Sequence, residues 1–175
     1  MASNKITFAS ILFLTIFTYS NAKLGHLKET ELSVYYQDYS GSQNATVIEI
    51  PGPSNGALNF SRFGAMFCTD DPITVGFEEG SAVIARGRGL YVTSALDGSN
   101  THVMLSVVFI DGEYKGSTIE LYGSDKQFEK VREVAVVGGT GKFRLARGYA
   151  TFETLYFDTG RSHAIIQSNM TILHY

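Results

Sequence analysis

The segment from Val131 to Ala150, VREVAVVGGTGKFRLARGYA, joins a charged strand to a strand of small residues through a Gly-rich turn. The turn, Gly138 to Lys142, superficially suggests a phosphate loop. A Walker A motif, however, needs glycine where Val136 stands and Ser or Thr where Phe143 stands. The glycines therefore predict a tight connection between two strands.

The same type of pattern recurs along the rest of the chain. Runs rich in Val, Ile, Thr, Tyr and Phe alternate with clusters of Gly, Asn, Asp and Pro, and no helical period extends beyond about ten residues. This pattern predicts an all-β fold. The predicted strands are Glu31–Tyr39, Ala45–Ile50, Phe63–Thr69, Ala82–Thr93, His102–Ile110, Gly116–Tyr122, Arg132–Val137, Ala146–Phe157 and His163–Leu173.

The turns between the strands predict how the strands are joined. Asp97-Gly98, Asp111-Gly112 and Asp158-Thr159-Gly160 supply the positive φ angles and side-chain caps that hairpins need. Consecutive strands should therefore be antiparallel. Regular spacing of this kind is typical of a sandwich or a closed barrel, and we favour a barrel because closure leaves no unpaired edge.

Alternation along the strands predicts which side chains share a face. One face of the first strand carries Leu32, Val34, Tyr36 and Asp38, and one face of the fourth carries Val83, Ala85, Gly87, Gly89 and Tyr91. The small residues of the fourth strand leave room either for one small ligand in a central cavity or for a large side chain from a facing strand. The sequence leaves both alternatives open.

The N-terminus is typical of a secretory signal peptide. Lys5 precedes an apolar run from Ile6 to Tyr19, and Ser20-Asn21-Ala22 offers a cleavage site. We therefore expect residues 1–22 to be a signal peptide and residues 23–175 to be one secreted, extracellular domain. The mature chain would carry 13 Lys and Arg against 17 Asp and Glu, a net charge of −4. This balance disfavours nucleic acid as a partner, and no apolar segment reaches the length of a membrane span.

Cysteine and glycosylation motifs fit this expectation. Cys68 is the only cysteine, so an internal disulfide is excluded, and its apolar strand favours a buried, inert thiol. Asn44, Asn59 and Asn169 each begin an Asn-x-Ser/Thr sequon and are predicted glycosylation sites. Asn169 falls inside a predicted strand, so its use depends on the face that it occupies.

Familiar catalytic and metal-binding motifs do not occur. The four histidines have no paired spacing, the acids form no EF-hand pattern, and there is no GxSxG elbow. We expect no metal, no cofactor and no oxidation of a substrate by the protein alone. Polar residues within the β pattern are the remaining candidates for a site, although each could be a solvated surface group: Asp38, Tyr91, Asp125, Arg132 and Arg147.

Several of these residues lie in motifs that resemble those of plant dirigent proteins. Besides the opening segment, the resemblance rests on Tyr35-Tyr36-Gln37-Asp38, Asn44-Ala45-Thr46, Asp71-Pro72-Ile73-Thr74 and Arg86-Gly87-Arg88-Gly89-Leu90-Tyr91, in the family's order. The cysteine pair of the lignan-forming branch is absent. The chain is therefore more similar to cysteine-poor branches, near members of the pterocarpan synthase type.

The resemblance implies a fold and a site. It implies an eight-stranded antiparallel β-barrel, assembled as a homotrimer or a homodimer. It also implies that Asp38 and Asp125 are the catalytic acids and that Tyr91 and Arg132 bind a phenolic substrate. A carboxyl in an apolar cavity can stay protonated and act as an acid, and an Arg can bind a phenolic oxygen as charge develops.

Three functions are compatible with these residues. The first is a dirigent role in the apoplast: orienting phenoxy radicals, such as those of coniferyl alcohol, for stereoselective coupling to lignan-type products, with a separate laccase or peroxidase as radical source. The second is a pterocarpan synthase-like dehydratase that protonates the leaving hydroxyl of an isoflavanol and acts through a quinone methide. The third is a cell-wall binding or defence protein without a competent cavity.

Overall fold

Nine strands make up the fold of the computed structural model, which describes residues 25–40, 44–50 and 58–175. The predicted signal peptide, residues 1–22, lies outside the described residues. One 3-10 turn, Gly141–Phe143, separates the seventh and eighth strands. The strands are β1 (Lys28–Tyr39), β2 (Val47–Ile50), β3 (Met66–Thr74), β4 (Val83–Thr93), β5 (Thr101–Phe109), β6 (Thr118–Asp125), β7 (Val131–Thr140), β8 (Arg147–Asp158) and β9 (His163–His174).

Eight of the strands form a closed antiparallel barrel, as predicted. Their order is β1-β9-β8-β7-β6-β5-β4-β3, and a pairing between β1 and β3 closes the ring, while β2 is added beside β3. The closing seam is short, with Tyr35 opposite Thr74 and Tyr36 opposite Ile73. Closure pairs the barrel edges without a disulfide.

Strand β3 differs from its prediction, because it runs through Pro72 to Thr74. A central strand donates N–H groups to a neighbouring strand on each side, and proline has no N–H to donate. The Asp70 N–H points toward β2, where it donates to the Thr46 carbonyl, so by alternation the Pro72 nitrogen points the same way. Neither β2 nor β1 pairs with Pro72 on that side, so the missing donor costs no ladder bond. The extended strand turns Asp71 into the barrel.

The Gly-rich segment closes one end of the barrel. Phe143, at the end of the 3-10 turn, is fully buried, and its ring centroid lies 4.8 Å from that of Tyr114 and 5.7 Å from that of Phe109. Gly141 has φ +60°, and a Cβ there would lie 2.5 Å from the Ser117 Oγ. The glycine thus permits the tight turn that seats Phe143 as a plug.

Beside the plug, side chains fill the barrel interior. Tyr36 packs over Gly87, where an added Cβ would lie 2.5 Å from the tyrosine ring. At Gly87, therefore, the alternative in which a large facing side chain fills the gap is correct. A cavity does remain, but it lies farther along β4, toward Tyr91.

The outer face carries an apolar band across five neighbouring strands. Its members lie in register on β2 to β6: Ile48, Cys68, Leu90, Met104 and Tyr122. Ile48, Met104 and Tyr122 are each at least 40% exposed. The expectation of a buried Cys68 is wrong, because its side chain points to this outer band and is partly exposed.

Candidate functional site

A cavity of about 530 Å³ occupies the end of the barrel opposite Phe143. Its walls come from β1, β3 to β9 and the segments between them. Apolar side chains form its inner surface, among them Val103, Leu105, Phe152 and Ile166. This volume falls within the range of small-molecule sites, which are mostly apolar with few polar groups.

Four predicted site residues line this cavity together: Asp38, Tyr91, Asp125 and Arg132. Arg147 does not. It is exposed at the start of β8, near the closed end, where it donates to the Val137 and Ala146 carbonyls. The cavity groups fall into two sets on opposite sides of the ring, which we call the acid wall (Asp38 and Asp71 on β1 and β3) and the ion-pair wall (Asp125 and Arg132 on β6 and β7).

The acid wall contains two carboxyls that influence each other. Asp71 is 5% exposed and accepts hydrogen bonds from the Thr46 Oγ1 at 2.5 Å and the Thr69 Oγ1 at 2.7 Å. Burial raises the pKa of Asp71 to about 6, and the two hydroxyl donors oppose this rise. Burial, together with the charge of Asp71, raises the pKa of Asp38 to about 8. Asp38 is therefore the carboxyl that stays protonated near neutral pH.

Two tyrosines adjoin the acid wall. Burial, with a smaller contribution from the charge of Asp71, raises the pKa of Tyr36, and its buried hydroxyl has no hydrogen-bond partner among the residues that the structure describes. Burial and the charges of Asp38 and Asp71 raise the pKa of Tyr91. The Tyr91 ring is held by Phe67, with centroids 5.0 Å apart, and Phe67 stacks on Phe60 at 4.7 Å. Both tyrosines therefore remain phenols that can donate to a ligand oxygen.

The ion-pair wall has a different composition. The Arg132 Nε lies 3.9 Å from the Asp125 Oδ1, and within residues 25–40, 44–50 and 58–175 neither buried atom has a hydrogen-bond partner. The Arg132 Nη2 donates to the Thr154 Oγ1 at 3.1 Å. Burial raises the pKa of Asp125, and the Arg132 charge opposes that rise. The wall thus offers an unused donor and an unused acceptor to a ligand.

Aromatic side chains surround the cavity entrance. Phe128 and Phe157 line the cavity, yet they are 69% and 61% exposed. Gln127, also in the lining, donates to the carbonyls of Phe60 and Gly98 and so connects three loops. Exposed aromatic rings at an entrance give a flat ligand surfaces on which to stack.

Sequence reasoning missed Asp71 of the acid wall and the adjoining Tyr36. It placed Tyr36 on the inner face without a role, and it ended β3 at Thr69, before Asp71. The signal was the alternation that continues past Thr69. In the structure its inward set, Phe67, Thr69, Asp71 and Ile73, is buried, whereas Cys68, Asp70 and Pro72 are more exposed. Because Asp70-Asp71-Pro72 is typical of a turn, the sequence analysis ended the predicted strand before it.

The three sequon asparagines, Asn44, Asn59 and Asn169, are exposed. Asn169 lies on the outer face of β9, the orientation on which its use depends. Within residues 25–40, 44–50 and 58–175, His, Cys, Asp and Glu side chains form no group of three or more that could hold a metal ion. The same residues contain no helix long and apolar enough to cross a membrane.

Known proteins resemble this chain over most of its length. The family model described as Dirigent-like protein matches residues 29–173. Dirigent protein 23 of Arabidopsis thaliana is 36% identical over 150 residues, which cover 86% of this chain and 80% of that protein. Pterocarpan synthase 1 of Glycyrrhiza echinata is 33% identical over 149 residues, covering 85% and 79% of the two chains. The solved structure of the pterocarpan synthase dirigent protein GePTS1 superposes with a TM-score of 0.77 at 32% identity, covering 86% of this chain and 87% of that one.

Proposed function

The chain belongs to the dirigent-like protein family, and from this premise we propose that it dehydrates a phenolic alcohol through a quinone methide held in the barrel cavity. The proposed substrate class is an isoflavanol, as for a pterocarpan synthase. The observation that carries the proposal is one cavity with two kinds of carboxyl: Asp38, whose pKa burial and Asp71 raise to about 8, and Asp125, which lies 3.9 Å from the Arg132 guanidinium.

Dehydration of such a substrate needs an acid and a base at separate positions. The departing hydroxyl needs a proton, and the phenolic hydroxyl of the ring must lose one. Asp38 can supply the first proton because its carboxyl is neutral near pH 7. Asp125 can accept the second because Arg132 opposes the rise in its pKa. Val103 and Leu105 lie between the walls and give an aromatic ring apolar surface to pack on.

In the first step the proton of Asp38 passes to the leaving hydroxyl, the carbon–oxygen bond breaks and water departs. The phenolic proton passes to Asp125, and the phenolic oxygen becomes the carbonyl of the quinone methide. Arg132 stabilises the charge that develops on this oxygen. Tyr36 and Tyr91, whose raised pKa values keep them neutral, orient the hydroxyl end through their phenol O–H groups.

In the second step another hydroxyl of the same substrate adds to the methide carbon and closes a ring. Its proton passes to the Asp38 carboxylate, while Asp125 returns a proton to the phenolic oxygen. Both acids recover their starting states. The net reaction is the loss of one water molecule, and no oxidant is consumed.

The direct test is incubation of the purified protein with isoflavanols in the absence of oxidant. We expect a cyclised product, one water lighter, in one enantiomeric form. No consumption of any isoflavanol, in a preparation with intact β circular dichroism, would contradict the dehydratase proposal. If the protein consumes no isoflavanol and also has no effect on radical coupling, the third function, a binding or defence protein, is favoured.

Stereoselective coupling of phenoxy radicals is the second candidate, and the 36% identity to Dirigent protein 23 favours it. The same walls could hold two phenolic radicals in one relative orientation, which is a contribution of positioning. A laccase or peroxidase would supply the radicals. Chiral chromatography of coniferyl alcohol products formed by a fungal laccase, with and without the protein, distinguishes the candidates. Enantiomeric excess that depends on the protein supports this second function.

We also propose that the chain assembles with copies of itself and is secreted. The exposed outer band of Ile48, Met104 and Tyr122 supports a homotrimer or homodimer, because monomers rarely expose contiguous apolar surface of this kind. The exposed Asn44, Asn59 and Asn169 support glycosylation during secretion to the apoplast. Light scattering of the purified protein and mass spectrometry before and after deglycosylation test the two proposals.

A further inference from the structure

The hydrogen bonds of Asp71 determine which carboxyl of the acid wall carries the charge. Thr46 donates to the Asp71 Oδ1 at 2.5 Å, and Thr69 donates to the Asp71 Oδ2 at 2.7 Å. The Thr46 hydroxyl accepts from the Tyr39 N–H at 3.0 Å, and its oxygen lies 2.5 Å from the Asp71 Oδ1 but 3.5 Å from the Tyr39 carbonyl, so Asp71 is the favoured acceptor of its proton. A hydroxyl donor on each oxygen stabilises the carboxylate form of Asp71 over its protonated form.

When two carboxyls share one buried site, ionisation of one raises the pKa of the other, because the like charges repel each other at low dielectric. Asp71 has two hydroxyl donors, whereas the part of the chain that the structure describes gives Asp38 no side-chain hydrogen bond. The charge is thus stabilised on Asp71, and the proton is left on Asp38.

We propose that Asp71 is a positioning residue: held as a carboxylate by Thr46 and Thr69, it keeps Asp38 protonated and so makes Asp38, rather than Asp125, the proton donor. The identity of the donor rests on the proposed dehydration. The charge distribution between Asp38 and Asp71 does not, because it is a property of the protein without substrate.

The neighbouring charges are consistent with this arrangement. The causes that raise the pKa of Asp38 are burial and then Asp71. On the far face of β3 and β4, Asp70 is paired with Arg86 at 2.7 Å and with Arg88 at 3.0 Å. Of this group, Arg86 lowers the pKa of Asp71 and favours its charged form, while Asp70 raises it by a smaller amount. The other titratable groups that face the cavity are Tyr36 on β1, Tyr91 on β4, Asp125 on β6 and Arg132 on β7.

Thr46 is also the third residue of the Asn44 sequon. Its hydroxyl also donates to Asp71, and this structural role is independent of glycosylation. This overlap provides a matched set of variants. Asn44→Gln removes the sequon and keeps the hydroxyl, Thr46→Ser keeps both, and Thr46→Val removes both.

The experiment is a titration of the aspartate side-chain carboxyl ¹³C resonances in the ligand-free, purified protein. In Asp71→Asn we expect the Asp38 midpoint to fall by at least about one pH unit, a tenfold loss of proton affinity. In Asp38→Asn the Asp71 midpoint should stay where it is in wild type, because Asp38 is still neutral at the pH at which Asp71 ionises. An Asp38 midpoint that is the same in wild type and Asp71→Asn would overturn the proposal.

Thr46→Val provides a second test if Asp71→Asn does not fold. Loss of the hydroxyl should raise the Asp71 midpoint, whereas Asn44→Gln and Thr46→Ser should leave it where it is in wild type. An unchanged Asp71 midpoint in Thr46→Val, or an equal shift in Asn44→Gln, would overturn the proposal.

The activity profile tests the assignment of the donor. In Asp71→Asn the high-pH limb of the turnover profile should move to lower pH, with turnover retained at the acid end. A lower rate without movement of that limb would reduce Asp71 to a structural role and overturn the proposal. The titration needs no substrate, so a shifted Asp38 midpoint without isoflavanol turnover would contradict the proposed function and leave the charge assignment standing.

Discussion

Each wall of the cavity carries an aspartate, and the two aspartates differ in the charged residue beside them. Asp38 and Asp125 both end up in an environment that raises the carboxyl pKa through burial. Asp71 adds to the rise at Asp38, whereas Arg132 opposes it at Asp125. One aspartate is thereby prepared to give a proton and the other to accept one. Two residues that are indistinguishable by type acquire opposite roles from the strand beside them.

The largest expected effect is that of Asp38→Asn. An amide keeps the shape of the carboxyl but cannot donate an acidic proton, and general acid catalysis typically contributes about 10²–10⁴-fold. We expect isoflavanol turnover to fall by about 10³-fold with little change in KM. Glu133→Gln, an exposed acid on β7, is the matched control and should keep wild-type turnover. Steady-state kinetics of the two variants measure this, and full activity in Asp38→Asn would exclude it as the proton donor.

Arg132→Ala should have the next largest effect, about 10²-fold on turnover, through loss of charge stabilisation at the phenolic oxygen. The variant should also change the pH profile. Because Arg132 opposes the rise in the Asp125 pKa, its removal raises that pKa, and the acid limb of the profile should move to higher pH. Arg132→Lys should restore the position of the limb but only part of the rate. A lysine ammonium keeps the charge, but it cannot both donate to Thr154 and present the planar donors of a guanidinium. Movement of the acid limb to lower pH would contradict the ion-pair wall as the site of the base.

Tyr36→Phe should weaken catalysis without weakening the fold. The Tyr36 hydroxyl is buried, and the described part of the chain gives it no hydrogen-bond partner, so its removal should leave the melting temperature equal or higher. Loss of its hydrogen bond to the substrate should cost about tenfold in kcat/KM, or about 1.4 kcal/mol. Tyr35→Phe is the control, because Tyr35 faces outward on the same strand and accepts from Gln167. Kinetics and thermal melts of the two variants separate a ligand contact from a structural one. Equal kinetics in both would remove Tyr36 from the site.

The barrel was predictable from the sequence because its signals are local. Alternation, Asp-Gly turns and the glycines of the Val131–Ala150 segment each act over a few residues, and all nine strands were predicted. Alternation also predicted that Asp38 and Tyr91 point inward, and the family resemblance added Asp125 and Arg132.

The acid wall was not predictable in this way. It depends on Thr46, in the connection before β2, reaching Asp71 on β3 next to the two-pair seam between β1 and β3. No local pattern specifies that contact. The asymmetry between the two walls therefore appears only when strands distant in sequence are brought together.

The smallest expected effect concerns stability and follows from the same asymmetry. The pKa of Asp38 is raised in the folded chain above the unfolded value of about 3.9, so the folded state binds this proton more tightly. Stability should therefore fall as the pH rises from about 4 to about 8, because the unfolded state ionises first. Asp38→Asn removes this loss.

Wild type and Asp38→Asn should thus differ least near pH 4, and the variant should be the more stable one near pH 8. The gain should be at least about 1.4 kcal/mol, the equivalent of one pKa unit, or about 3 °C in melting temperature. Asp125→Asn should behave differently, since it leaves the half-buried Arg132 without its counter-charge and should be less stable than wild type near pH 8. Melting curves across this range measure both differences. A gain in stability for Asp125→Asn as large as that for Asp38→Asn would show that burial alone sets both carboxyls and that the neighbouring charges do not distinguish the walls.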